Sequence, residues 1–212
     1  CNGDLLFLDI IAEEVPDMDV LGVNAYRGVS FTDLFDTVKE KLNAPVMFTE
    51  FGSDAFNAVE MSEDQLMQTK FNLGNWKEIY QHAYGNGKTG VSLGGMTFQF
   101  SDGWWKYLQD SNLEIHDTHA SWSNGGYSDD YVEGENNMNE EWFGVCAKGP
   151  TDANGYYDLY PRASYYALMD VHKINPLDEK VDAYVIKNLI DKLDPMQYVL
   201  TARGDKAALE SS

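Results

Sequence analysis

Apolar residues recur at helical spacing from Leu5 to Val15 and stop before Pro16, which predicts a first helix. The run from Met18 to Tyr26 is short, apolar and β-branched, and it ends on polar residues. That is the pattern of a buried parallel strand whose C-terminal tip faces a site. Helical spacing returns from Phe31 to Leu42 and is broken by Asn43-Ala44-Pro45. Val46-Met47-Phe48-Thr49-Glu50-Phe51-Gly52 then reads as a second buried strand with a carboxylate at its tip. Ser62 with Gln65 forms a capping-box pattern, predicting a helix through Trp76 and Ile79 towards Tyr84 that Gly85-Asn86-Gly87 ends. A third strand spans Val91 to Phe100 and closes on Ser101-Asp102-Gly103-Trp104-Trp105.

Helix and strand therefore alternate, which favours a parallel sheet covered by helices, an α/β architecture. From Tyr107 to Gly155 the composition shifts to Asn, Gly, Ser, Asp and Glu with scattered aromatics, and this stretch reads as a long polar loop. Tyr160 to Leu168 enters a helix that continues to His172. A last amphipathic segment, Asp178 to Leu193, precedes a polar tail.

Charge narrows the function classes. The 212 residues carry 35 acidic and 15 basic side chains, a formal net charge of -20. Such a surface repels phosphate backbones and anionic lipid, so nucleic acid and membrane surfaces are disfavoured partners. Aromatic residues make up 13%, with 5 Trp and 13 Tyr, and many lie in Gly-, Asn- and Asp-rich stretches. Flat apolar faces beside hydrogen-bonding groups suit a sugar-binding cleft. Cys1 and Cys146 exclude a disulfide framework but leave open one bridge or two free thiols. No apolar run approaches the roughly 20 residues of a membrane span. The start at Cys1-Asn2-Gly3-Asp4 reads as a mid-chain beginning, since no lipobox precedes the cysteine as a lipoprotein would require.

Three segments carry a resemblance. Asp19-Val20-Leu21-Gly22-Val23-Asn24-Ala25-Tyr26, Ala44-Pro45-Val46-Met47-Phe48-Thr49-Glu50-Phe51-Gly52 and the run from Gly95 to Trp105 resemble strands six, seven and eight of clan A glycoside hydrolases. Families two and five and the β-1,3-glucan-active enzymes share this pattern. The resemblance implies the C-terminal half of a TIM (β/α)8 barrel over residues 1–176, with the long polar loop after the last strand. Residues 177–212 then form a C-terminal helix and polar tail. A complete barrel needs about 250 residues, so the chain is short for one.

In the family, the glutamate at the tip of strand seven attacks the anomeric carbon, a role that falls on Glu50. Tyr26 matches the tyrosine that hydrogen-bonds this nucleophile, or else is a core residue. Asn24, Gln99 and Asp102 are the implied hydroxyl ligands, and Trp104 rather than Trp105 the implied sugar platform. Asp54 stands open between substrate contact and a helix cap. The implied activity is a retaining glycoside hydrolase or transglycosidase acting on β-linked glycans such as β-glucan, through a glycosyl-enzyme intermediate and with no cofactor or metal. Its partners are an oligo- or polysaccharide and the missing N-terminal barrel half, supplied upstream or by another chain.

The family's general acid/base is a glutamate after Asn at the end of strand four, and no Asn-Glu here sits at an expected strand tip. Asn139-Glu140 lies in the polar loop, leaving Glu140 and Glu141 as reserve candidates. The alternative class is a non-catalytic carbohydrate-binding or structural protein on a degenerate or incomplete barrel. A third reading is a calcium-stabilised surface protein using the oxygen-rich stretch from Ser128 to Gly144, although EF-hand spacing is absent from it. His116 and His119, three apart without a zinc signature, read as structural or exposed.

Overall fold

A computed structural model of the chain describes residues 3–57, 60–106, 116, 118 and 138–202. Its centre is a sheet of three parallel strands in the order β1 (Leu21–Asn24), β2 (Val46–Phe51), β5 (Ser92–Thr97). Helix α1 (Leu8–Glu14) precedes β1, α2 (Leu34–Lys41) connects β1 to β2, and α3 (Gln65–Gln81) lies between β2 and β5. Two-residue strands β3 (Phe56–Asn57) and β4 (Ser62–Glu63) form a small ribbon before α3. The fold is α/β with a small parallel sheet. Among the described residues that sheet does not close into a barrel.

Phenylalanine holds this layer together. Phe31 stacks on Phe48 at 4.3 Å, while Phe35 meets Phe48 edge-on at 5.5 Å and Phe51 meets Trp76 at 5.3 Å. Phe31, Phe35, Phe48 and Phe51 are fully buried, each stabilising the fold by about 1.5–3 kcal/mol. Beyond β2 the chain passes close to β5: a Cβ on Gly52 would lie 2.2 Å from the Phe98 carbonyl oxygen. Only glycine fits there, which explains the Phe-Gly step just past Glu50.

Several boundaries differ from the sequence expectations. Asp64, not Ser62, caps α3: its carboxylate accepts from Met67 N at 2.9 Å, while Ser62 belongs to β4. Gln65 instead donates to Glu63 and accepts from Ala163 N. Helix α3 stops at Gln81 because the next residues turn to pair with the start of β5, Ala83 bridging Ser92. The third strand is shorter than the 91–100 run, because Gln99 and Phe100 bond the chain returning at residues 143–146.

The polar stretch also hides an antiparallel hairpin of β6 (Cys146–Thr151) and β7 (Tyr157–Pro161). Its turn is built on Asp152, whose Oδ1 accepts from Asn154 N and Tyr156 N, an Asx-type turn that needs no apolar signal. Tyr160 and Pro161 are therefore strand, and α4 (Ala163–Val171) begins only after Arg162. Among the described residues the last segment holds two helices. α5 (Ala183–Ile190) and α6 (Pro195–Thr201) are each capped by an aspartate, Asp182 and Asp194, and pack on α3 and α4. No helix among the described residues is long and apolar enough to cross a membrane. His119, Cys1 and the acidic residues from Ser128 to Asn137 lie outside the described residues.

Candidate active site

Parallel pairing sets Asn24 beside Glu50, with a register irregularity after Val23. Ala25 N then bonds the Glu50 carbonyl at 3.0 Å, which carries Tyr26 over the strand tip. Its hydroxyl donates to Glu50 Oε2 at 3.0 Å. Burial first, and then the Glu50 charge, hold the Tyr26 phenol far above the usual tyrosine range. It therefore stays protonated, a fixed donor aiming the carboxylate. The ring is braced edge-on against Phe143 at 5.7 Å. Asn24 accepts from Thr49 Oγ1 at 2.6 Å on the same rim.

These residues line an open cleft of about 380 Å³ together with Gly3, Asp4, Lys106 and Glu140. Arg27 fixes Asp4 with two nitrogens, at 2.7 and 2.9 Å, and reaches Asp33 with a third. Glu140 arrives from far along the chain. Residues 139–146 cross the strand ends through Asn139 N to Asp54 Oδ2, Ala55 N to the Trp142 carbonyl and Gln99 N to the Phe143 carbonyl. There Glu140 Oε2 meets Lys106 Nζ at 3.1 Å. The Lys106 ammonium also lies over the Trp105 ring, 4.7 Å from its centroid, and over Phe98 at 5.1 Å.

Tyr26, Glu50 and Asn24 are thus brought together, and the other expected residues stand apart from them. Asp102 is 1% exposed, and Arg162 grips both its oxygens, at 2.6 and 2.8 Å. Arg162 also donates to Glu63 at 2.7 Å and to the Gly144 carbonyl. Burial by itself would lower the guanidinium's proton affinity, but Asp102 and then Glu63 offset it and hold Arg162 above the usual arginine range. Asp102 thus holds the core together instead of facing a sugar.

Trp104 is likewise inside, 8% exposed, with His116 stacked between it and Trp142. Trp105, 57% exposed, is the open indole. The resemblance implies Trp104 as the platform, but the chain leaves the strand at Thr97, before the two tryptophans, and turns Trp104 inward. Gln99 lines a neighbouring groove with Trp76 and His172, and its amide reaches the Glu140 carbonyl at 3.4 Å. It supports the Glu140 segment. Asp54 is buried and receives Asn139 N, a role that is neither cap nor ligand.

Lys106 and Asp4 were not foreseen, and no local pattern marks them. Cys146 is a buried free thiol, pushed up to about 11 mainly by burial, so it is a packing residue rather than a nucleophile. Among the described residues no group of three or more His, Cys, Asp or Glu is placed to hold a metal ion. No family model, curated protein or solved structure matches the chain, so a functional reading stands on this geometry and on its chemistry.

Proposed function

We propose that this chain is the nucleophile-bearing half of a retaining glycoside hydrolase or transglycosidase barrel acting on β-linked glycans, with Glu50 as nucleophile. One observation carries the reading: the Tyr26 hydroxyl on Glu50 Oε2, at the C-terminal ends of adjacent parallel strands, inside an open cleft. Active sites of α/β barrels lie at that face, and a protonated phenol orients a carboxylate without neutralising it. A Glu50 oxygen attacks the anomeric carbon as the glycosidic C–O bond breaks, and the leaving oxygen takes a proton from an acid. Water, or a second sugar hydroxyl, then cleaves the glycosyl ester and frees Glu50.

The half-barrel part of the proposal is supported by the sheet edges. β1 and β5 are both outer strands among the described residues, and Leu93 and Met96 are exposed on β5, as is Val20 just before β1. Such edges invite further strands, and a partner supplying them would also bring the acid. One observation favours the non-catalytic alternative: Glu140, the other glutamate of the cleft, is tied to Lys106 at 3.1 Å. Glu50→Gln in the complete protein, with the barrel half that supplies the acid, decides between the two. A loss of cleavage of at least about 1,000-fold at unchanged thermal stability is expected, together with loss of covalent labelling by a 2-fluoroglycoside. Near-normal turnover would remove Glu50 from the mechanism.

A further inference from the structure

We infer that Lys106, seated on the Trp105 ring, and Glu140 act as a donor–acceptor pair that binds the hydroxyls of an uncharged pyranose unit beside Glu50. The inference rests on the glycan reading above and assigns residues that the family resemblance does not supply. Both side chains line the same cleft as Glu50 and Tyr26, and their 3.1 Å contact fixes them relative to each other. Lys106 is further held over the Trp105 and Phe98 rings. An ammonium has three donors, of which the ion pair uses one, and a carboxylate is purely an acceptor with several lone-pair sites. Adjacent sugar hydroxyls, each both donor and acceptor, match such a pair through charge-assisted hydrogen bonds, which are about twice as strong as neutral ones.

Charge selects the class of sugar. Asp4, Glu50 and Glu140 all border the cleft. Of the nearby cations, Arg27 is committed to Asp4 and Asp33, and Lys106 to Glu140. Among the described residues the cleft lining holds more carboxylates than cations, so a uronate or sulfate group is repelled on balance, and the -20 charge of the whole chain adds to it. Neutral sugars escape this.

The test is titration of the chain with a neutral β-linked glucose tetrasaccharide and with an oligouronate of equal length, read by calorimetry and by the NMR signals of the Trp105 indole. Expected results are binding of the neutral sugar with a shift of that indole, and at least about tenfold weaker binding of the uronate. Lys106→Met and Glu140→Gln should each weaken the neutral sugar about tenfold, while the double variant loses clearly less than the product of the two. Glu140→Gln should also raise the ratio of uronate to neutral affinity, because it releases Lys106. Binding of the tetrasaccharide with both single variants within twofold of the parent, or equal affinity for the uronate, overturns the inference and leaves the nucleophile reading intact. No binding of either sugar overturns the inference, while the nucleophile reading is decided separately by Glu50→Gln. Should a variant fail to fold, the indole shift and the uronate comparison on the parent chain still decide.

Discussion

Two strand tips stand side by side in this sheet, and each delivers a carboxylate to a different fate. Glu50, at the end of β2, is partly exposed and meets a neutral phenol. Asp102, shortly after β5, is sealed in the core with a guanidinium on both oxygens. The same functional group is open to the cleft in one place and sealed in the other, and the difference lies in what faces each group. A carboxylate held by a protonated tyrosine keeps its charge available to an incoming electrophile. One neutralised bidentately in the interior has no lone pair aimed at solvent, and its removal strands a buried cation.

The largest effect that would break this contrast is on stability. Asp102→Ala is expected to destabilise the fold by about 3–5 kcal/mol, since Arg162 stays buried without its partner, whereas Glu50→Gln should change stability by less than about 1 kcal/mol. Urea unfolding of both variants measures the difference. Similar midpoints would mean that the two tips are not distinct environments.

The paired tryptophans sharpen the same point next door. Trp104→Ala should cost about 3–5 kcal/mol of stability through the cavity left against His116 and Tyr157. Trp105→Ala should stay within about 0.5 kcal/mol and instead weaken glycan binding. An exchange of these outcomes would restore Trp104 as the platform.

The smallest effect concerns a histidine on the opposite side of the core. His82 stacks on Phe35 at 4.3 Å, and burial, followed by the nearby Lys88 charge, pushes it down to about 4. Its folded form is neutral, so between the ordinary histidine range and pH 4 the unfolded chain binds the extra proton and stability falls with pH. The contribution is fully present above about pH 6.5 and is lost as pH drops towards 4. Allowing for partial exposure, the loss is about 1–2 kcal/mol. Stability against pH for the parent and His82→Gln should differ by that slope and converge if the ring is solvated.

The local pattern of residues was enough to read the order of the helices and the three parallel strands up to β5, but not the short β3–β4 ribbon before α3. Apolar runs of strand length ending on Asn24 and Glu50 are legible because a buried parallel strand must be nearly all apolar until its tip. Placing Tyr26 with Glu50 needed the family resemblance, because their contact is made across a register irregularity after Val23 that local pattern does not announce. The β6–β7 hairpin escaped because its signal is a side-chain turn at Asp152 and not periodicity. The Ser62 cap was misread for a similar reason: Asp64, two residues later, offers a carboxylate in better range of the free helix amides.

What the sequence by itself determined was therefore whatever depends on neighbours along the chain: strand order, the polar strand tips, and the choice of carboxylate and phenol at the first two. Tertiary structure alone decided which polar groups meet across long separations. Arg162 reaches Asp102 from 60 residues away and removes it from the cleft, while backbone bonds from Asn139 to Cys146 carry Glu140 across the strand ends and into it. The reason is physical. Hydrophobic periodicity is written locally, whereas the environment of a charge is set by whichever distant group shares its burial, and no spacing in the chain encodes that distance.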